Sequence, residues 1–200
     1  MKMTKDSDGH LTSIFVDGVK EFLWAPHKNV IIHTSFPGGD VFPKISFVDM
    51  PSRRLLHSYS AKDSQELKLY LHPQGRYVAA MNTFQVKKQL KYSVELFETG
   101  NLHGSIPHQQ IVINREVVKF NNVVFEPNQG KIAVHSYFKK ELKAGEKQFS
   151  NEPNRQGVEL YQIKTDSLLG FNVKPMGLHP SEKIKEFYFS CVGNVCCTIE

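Results

Sequence analysis

One pattern recurs along this chain and limits what it can fold into. Alternating apolar residues lead to a large apolar residue, a spacer, a proline, a tight turn and a second apolar run. The first copy is Phe22-Leu23-Trp24-Ala25-Pro26, resuming at Val30-Ile31-Ile32. The second is Leu69-Tyr70-Leu71-His72-Pro73-Gln74-Gly75, resuming at Tyr77-Val78-Ala79. The third is Val123-Val124-Phe125-Glu126-Pro127-Asn128-Gln129-Gly130, resuming at Ile132-Ala133-Val134. A weaker fourth copy, Phe187-Tyr188-Phe189-Ser190-Cys191, has Cys191 where the proline stands elsewhere. Each copy reads as an antiparallel strand pair. Proline closes the first strand because it cannot donate to a ladder, and Gly75 and Gly130 suit turn positions with positive φ.

A third strand follows in each unit, with period-two patterning at 44–50, 93–98 and 158–163. A more polar fourth strand fits at 54–60, 108–113 and 168–173. Four antiparallel strands repeated as a unit is the pattern of a propeller blade. A sandwich of similar hairpins is the plainer alternative, but it does not account for a whole four-strand unit recurring. The expected fold is therefore all-β, a WD-repeat-like β-propeller with a partial ring of about three to four four-stranded antiparallel blades. Read as one domain over 1–200, it has a blade edge at 1–18, blades at 19–61, 62–114 and 115–178, and the start of another at 179–200. The intervals from Pro26 to Pro73, Pro127 and Cys191 exceed the ~40–45 residues of a typical blade. Insertions between second and third strands at 84–91 and 139–156 account for the excess. So short a ring does not close, which implies a longer polypeptide.

Composition agrees with a β-rich globular chain, since the 14 Phe and 7 Tyr favour a pleated surface. The net charge of +5 permits contact with RNA or an acidic protein without demanding either. Cys191, Cys196 and Cys197 cluster at one end with no partner motif at zinc spacing, and read as reduced thiols used for core packing. Residues 1–9 are polar, and no apolar run approaches the ~18 residues that span a membrane. A cytoplasmic location is the expectation.

Several segments resemble subunit b of eukaryotic translation initiation factor 3. They are Val16-Asp17-Gly18-Val19-Lys20-Glu21-Phe22-Leu23-Trp24-Ala25-Pro26, Pro51-Ser52-Arg53-Arg54-Leu55, Leu67-Lys68-Leu69-Tyr70-Leu71-His72-Pro73-Gln74-Gly75-Arg76-Tyr77-Val78-Ala79, Val94-Glu95-Leu96-Phe97 and Phe125-Glu126-Pro127-Asn128-Gln129-Gly130-Lys131. Their order is collinear from about Asp17 to Val195. Leu71 and Phe125 stand where that family would place tryptophan, and the 139–156 insertion is longer than its pattern. The resemblance implies a fragment of a larger propeller subunit, a scaffold for the factor's other subunits that docks on the small ribosomal subunit through protein and ribosomal RNA. It also implies no membrane and no small-molecule substrate.

No catalytic motif accompanies this pattern. There is no G-x-S-x-G elbow, no phosphate-cradling G-x-x-x-x-G-K-[ST] loop, no G-x-G-x-x-G and no H-E-x-x-H. Histidines on turns, His27 and His72, read as local hydrogen-bonding groups. Glu21, Glu66, Glu95 and Glu159 read as the outward face of half-buried strands. Most aromatics fall at core positions, which leaves no stacking platform for bases. No residue is assigned a catalytic, cofactor or metal role. The candidates for RNA or ribosome contact are Arg53 and Arg54 in a turn, Lys87, Lys88 and Lys91 in the first insertion, and Lys139, Lys140, Lys143 and Lys147 in the second. Such lysines touch phosphates without reading sequence. The plainer reading is a solvated loop, its charge diluted by Glu141 and Glu146. Other readings are the related single-chain initiation factor 2A, also a propeller, and the propeller domain of a hydrolase. A generic WD-repeat adaptor is disfavoured, because the Gly-His and Trp-Asp pairs are missing.

Overall fold

The computed structural model describes residues 2–5, 8–9, 11–26, 28–50, 52–99, 106–113, 116–128, 130–139, 155–166, 170–180, 183–192 and 196–199. Among them every regular element is a strand, and no helix is long and apolar enough to cross a membrane. A short hairpin, β1 (Lys2–Lys5) with β2 (Leu11–Phe15), comes first. Three four-stranded sheets follow. The first is β3 (Val19–Trp24), β4 (Val30–Ser35), β5 (Lys44–Asp49) and β6 (Leu55–Ser60). The second is β7 (Ser64–Leu71), β8 (Tyr77–Val86), β9 (Gln89–Glu98) and β10 (His108–Ile111). The third is β11 (Val117–Phe125), β12 (Lys131–Phe138), β13 (Arg155–Asp166) and β14 (Gly170–Pro180). A last hairpin pairs β15 (Glu186–Phe189) with β16 (Cys196–Ile199).

In each four-stranded sheet the spatial order is the chain order, an antiparallel meander. This is the blade of a β-propeller, and the recurring strand–proline–turn–strand pattern falls on the first two strands of each. The core lies in the seams between successive sheets. Ala25, Val30, Ile32, Ile45 and Phe47 of the first sheet pack against Leu67, Leu69, Val78, Ala80 and Phe97 of the second. The other face of the second sheet, through Ala79, Met81, Val94 and Leu96, meets Phe120, Phe125, Ile132 and Val134 of the third. A smaller seam joins Ala133 and Val158 to Ile184 and Phe187. Both faces of the second sheet are thus covered, so consecutive residues Val78, Ala79 and Ala80 are all buried. Each large apolar side chain closed into a seam stabilises by roughly 1.5–3 kcal/mol.

Two expectations are corrected here. Residues 84–91 are not a loop between strands. They continue β8 and β9 to a two-residue turn at Lys87-Lys88, with Val86 opposite Gln89. Their alternation of polar and apolar residues serves a strand whose faces both meet water. Cys191 is not core packing but exposed in the turn after β15, because it occupies a turn position, as Pro26, Pro73 and Pro127 do. The larger insertion lies outside the described residues between 140 and 154.

Candidate functional site

The meander places turns on two opposite rims. One rim carries the turns between first and second strands and between third and fourth. The other carries the turns between second and third strands and the links from one sheet to the next.

On the first rim, turns of successive sheets touch. Gly75 has φ +64, and a Cβ there would lie 2.9 Å from the Pro26 carbonyl oxygen, so only glycine lets the second turn seat under the first. Gln74 Nε2 donates to Asn128 Oδ1 at 3.2 Å, and Asn128 Nδ2 donates to the Cys191 carbonyl at 3.1 Å. Lys28 Nζ donates to the Thr99 carbonyl, and Thr99 Oγ1 to that of Gly75. Burial lowers the Lys28 pKa, with the Glu98 carboxylate opposing. Burial also raises that of Glu98, with Lys28 opposing. In both, desolvation outweighs the attraction between them. His72, buried beneath this rim, accepts from the Gln74 N–H at Nδ1, 3.1 Å away. Its pKa is lowered by burial first and by the Arg76 charge second. The local hydrogen-bonding role expected of His72 is therefore present, while His27 lies outside the described residues.

Arg53 and Arg54 sit on this rim, in the β5–β6 turn. Arg53 has φ +60, and its N–H donates to the Asp49 carbonyl at 2.7 Å. The other described candidates are on the opposite rim. Lys87 and Lys88 form the β8–β9 turn, Lys91 is the third residue of β9 and Lys139 follows β12. Lys139 Nζ lies 2.7 Å from Glu116 Oε1. That hydrogen bond lowers the Glu116 pKa, with the charges of Lys139 and Lys91 adding to it against desolvation. The fold brings Lys91 and Lys139 to one carboxylate and separates both from the arginines. Lys140, Lys143 and Lys147 fall outside the described residues.

The seam between the first and second sheets holds a polar group that the sequence did not reveal. Glu95, read as outward and solvated, is only 4% exposed. Its Oε2 lies 2.7 Å from His108 Nε2 on β10, and its Oε1 accepts from Ser93 Oγ at 3.1 Å. The His108 ring stacks on Phe97 and meets Tyr59 from β6, with centroids 4.9 and 4.8 Å apart. Burial raises the Tyr59 pKa, and the Glu95 charge adds to it. Glu21 is also not simply solvated: its Oε2 accepts the Leu69 N–H at 2.8 Å across the seam. Outward polarity is read from a strand with one wet face. Both faces of β9 are covered at Glu95, whereas Glu66 and Lys68 on β7 of the same sheet are exposed, as expected of Glu66. Most described aromatics do lie at buried or half-buried positions, but two on β3 do not. Phe22 and Trp24 stand 65% and 52% exposed on the outer face of the first sheet.

No protein-family model matches the chain, and no curated protein matches it. Among solved structures it is similar to the hydrazine synthase of Kuenenia stuttgartiensis, at 14% identity and a TM-score of 0.49, over 86% of this chain and 47% of that one. It is similar to TolB from Acinetobacter baumannii at 13% identity and a TM-score of 0.46, over 99% of this chain and 42% of that one. A eukaryotic initiation factor aligns at 10% identity and a TM-score of 0.49, over 92% of this chain and 49% of that one. The chain spans less than half the length of each of these three.

Proposed function

We propose that this chain is part of a propeller scaffold of translation initiation, the propeller of subunit b of eukaryotic translation initiation factor 3. It acts by binding: its rims receive other subunits of the factor and the small ribosomal subunit, in the cytoplasm, without bond chemistry. The observation that carries the reading is the continuous first rim. The turns at Pro26, Gly75, Asn128 and Cys191 are joined from blade to blade by side-chain hydrogen bonds and close backbone approach. A rim tied together in this way keeps its loops in fixed relation, which a docking surface requires. The specific assignment rests on the resemblance of the blade signatures, collinear along the chain. Three of those signatures, ending at Pro26, around Pro73 and around Pro127, fall at equivalent places, the end of a first strand and its turn, in three successive sheets.

The test is affinity purification of the tagged full-length protein from its own cytoplasm, with mass spectrometry of what accompanies it. Recovery of other initiation-factor subunits together with small-subunit ribosomal proteins is expected. A clean monomer without them overturns the reading and returns attention to the single-chain initiation factor 2A or a propeller hydrolase.

A further inference from the structure

We propose that the β8–β9 hairpin is a finger that docks on RNA phosphates, with Lys87 and Lys88 at its tip as the contacting groups. This rests on the scaffold reading and assigns one of its surfaces. Three observations carry it. First, the hairpin is long: β8 and β9 are 10 residues each, where β4 and β5 of the preceding sheet are 6 each. All of residues 85–90 are exposed. Second, the tip is chemically costly. Lys87 and Lys88 have φ +47 and +66, the two-residue turn for which Asn-Gly is the favoured pair. Holding non-glycine residues there costs about 1 kcal/mol or more each. Lysine brings nothing to the turn that offsets this, so its use points to what the ammonium groups meet outside. Third, the finger carries donors and no acids: Gln85, Lys87, Lys88, Gln89 and Lys91 alternate with Phe84, Val86 and Leu90. Among the described residues no carboxylate pairs with Lys87 or Lys88.

The chemistry favours RNA over two other polyanionic partners. A membrane surface needs apolar residues gathered on one side. Val86 pairs with Gln89 and Leu90 with Gln85, so the two exposed apolar side chains point to opposite faces. A folded acidic protein presents planar carboxylates that suit the fork of arginine, and the finger has none. Lysine ammonium groups as point charges, with glutamine amides beside them, are the donors that meet phosphate oxygens along a flexible strand.

The test uses the full-length protein and a short oligouridine strand, with the dissociation constant measured over a potassium chloride series. The variant joins Lys87→Asn with Lys88→Gly, which removes both charges and installs the favoured turn pair, so its thermal midpoint equals or exceeds that of the parent. Loss of two phosphate contacts flattens the log–log salt slope by about 1.4 and weakens binding at ~0.1 M salt by roughly ten- to thirtyfold. The Lys87→Arg, Lys88→Arg variant keeps the parent slope. An unchanged slope in the Asn-Gly variant overturns the proposal, as does no binding by the parent. Poly-glutamate of equal charge competing as well as the RNA overturns it too, by assigning the finger to acidic protein. Purification of the Asn-Gly variant separates the two readings. Retained factor subunits with a flattened slope support the finger, and retained subunits with an unchanged slope sink the finger alone.

Discussion

Glu95 is a carboxylate enclosed between two sheets, accepting from Ser93 Oγ and meeting His108 Nε2. Replacing Glu95 with Ala leaves buried Ser93 without its acceptor, while His108, whose side chain is 32% exposed, can turn to water. An unmade hydrogen bond there costs about 1–3 kcal/mol per group. Glu95→Ala is expected to lower stability by about 1–3 kcal/mol, read as a lower urea midpoint at unchanged slope. Glu95→Gln keeps an acceptor for Ser93 and is expected to lose less than half as much. Equal stability of Glu95→Ala and the parent would show that the pair holds nothing together. The residue was misread because Val94-Glu95-Leu96 alternates as a one-sided strand does. Nothing in that triplet records that sheets cover both faces, and the pairing partner His108 stands on another strand.

At the scale of elements, the first two strands of each blade were legible because proline and glycine mark their shared turn: Pro73 with Gly75 and Pro127 with Gly130. The β8–β9 tip was not legible, because Lys87-Lys88 lacks the Asn-Gly signal and was read as a loop. Of the candidate contacts, the sequence placed Arg53 and Arg54 in a turn, as found. It had no means to put them on the rim opposite Lys87, which is decided by strand direction. The buried histidines were equally hidden. His33 on β4, His72 after β7 and His135 on β12 all have pKa values lowered from 6.5, burial being the first cause in each. Around the His135 ring, Asn121 Nδ2 lies 3.0 Å from Nδ1 and Gln156 Oε1 lies 3.3 Å from Nε2, the arrangement of a neutral ring. Where the folded pKa lies below the unfolded one, the unfolded chain binds more protons in between, so stability rises with pH across that interval. The contribution is whole above about 6.5 and is lost as pH drops below it. The thermal midpoint is expected to fall between pH ~7 and ~5.5, a window in which most carboxylates stay ionised. His135→Gln is expected to flatten that fall. A midpoint that is level or rises on acidification across this window contradicts the account.

At the scale of the whole molecule, the seams bury both faces of the second sheet but leave the outer face of the first sheet partly open. The register lines up Trp24, Ile31, Val48 and Leu55 in one apolar row across all four strands. Trp24 and Leu55, at the two ends of that row, are 52% and 57% exposed, and Phe22 beside them is 65% exposed. Apolar residues gathered on one sheet face, unlike scattered ones, drive association. The 200-residue chain is therefore expected to self-associate as its concentration rises. Trp24 is the single tryptophan, so covering this face moves its emission to shorter wavelength, and light scattering rises in parallel. Leu55→Lys puts a charge at one end of the row, on an exposed position where substitutions usually change stability by no more than about 0.5 kcal/mol. It is expected to suppress both the scattering and the emission shift while the thermal midpoint at low concentration stays put. If the parent's emission and scattering are independent of concentration, the row is not adhesive, and the open face carries no energetic penalty that association must relieve. If the parent associates but Leu55→Lys leaves both the scattering and the Trp24 shift in place, the contact is made elsewhere.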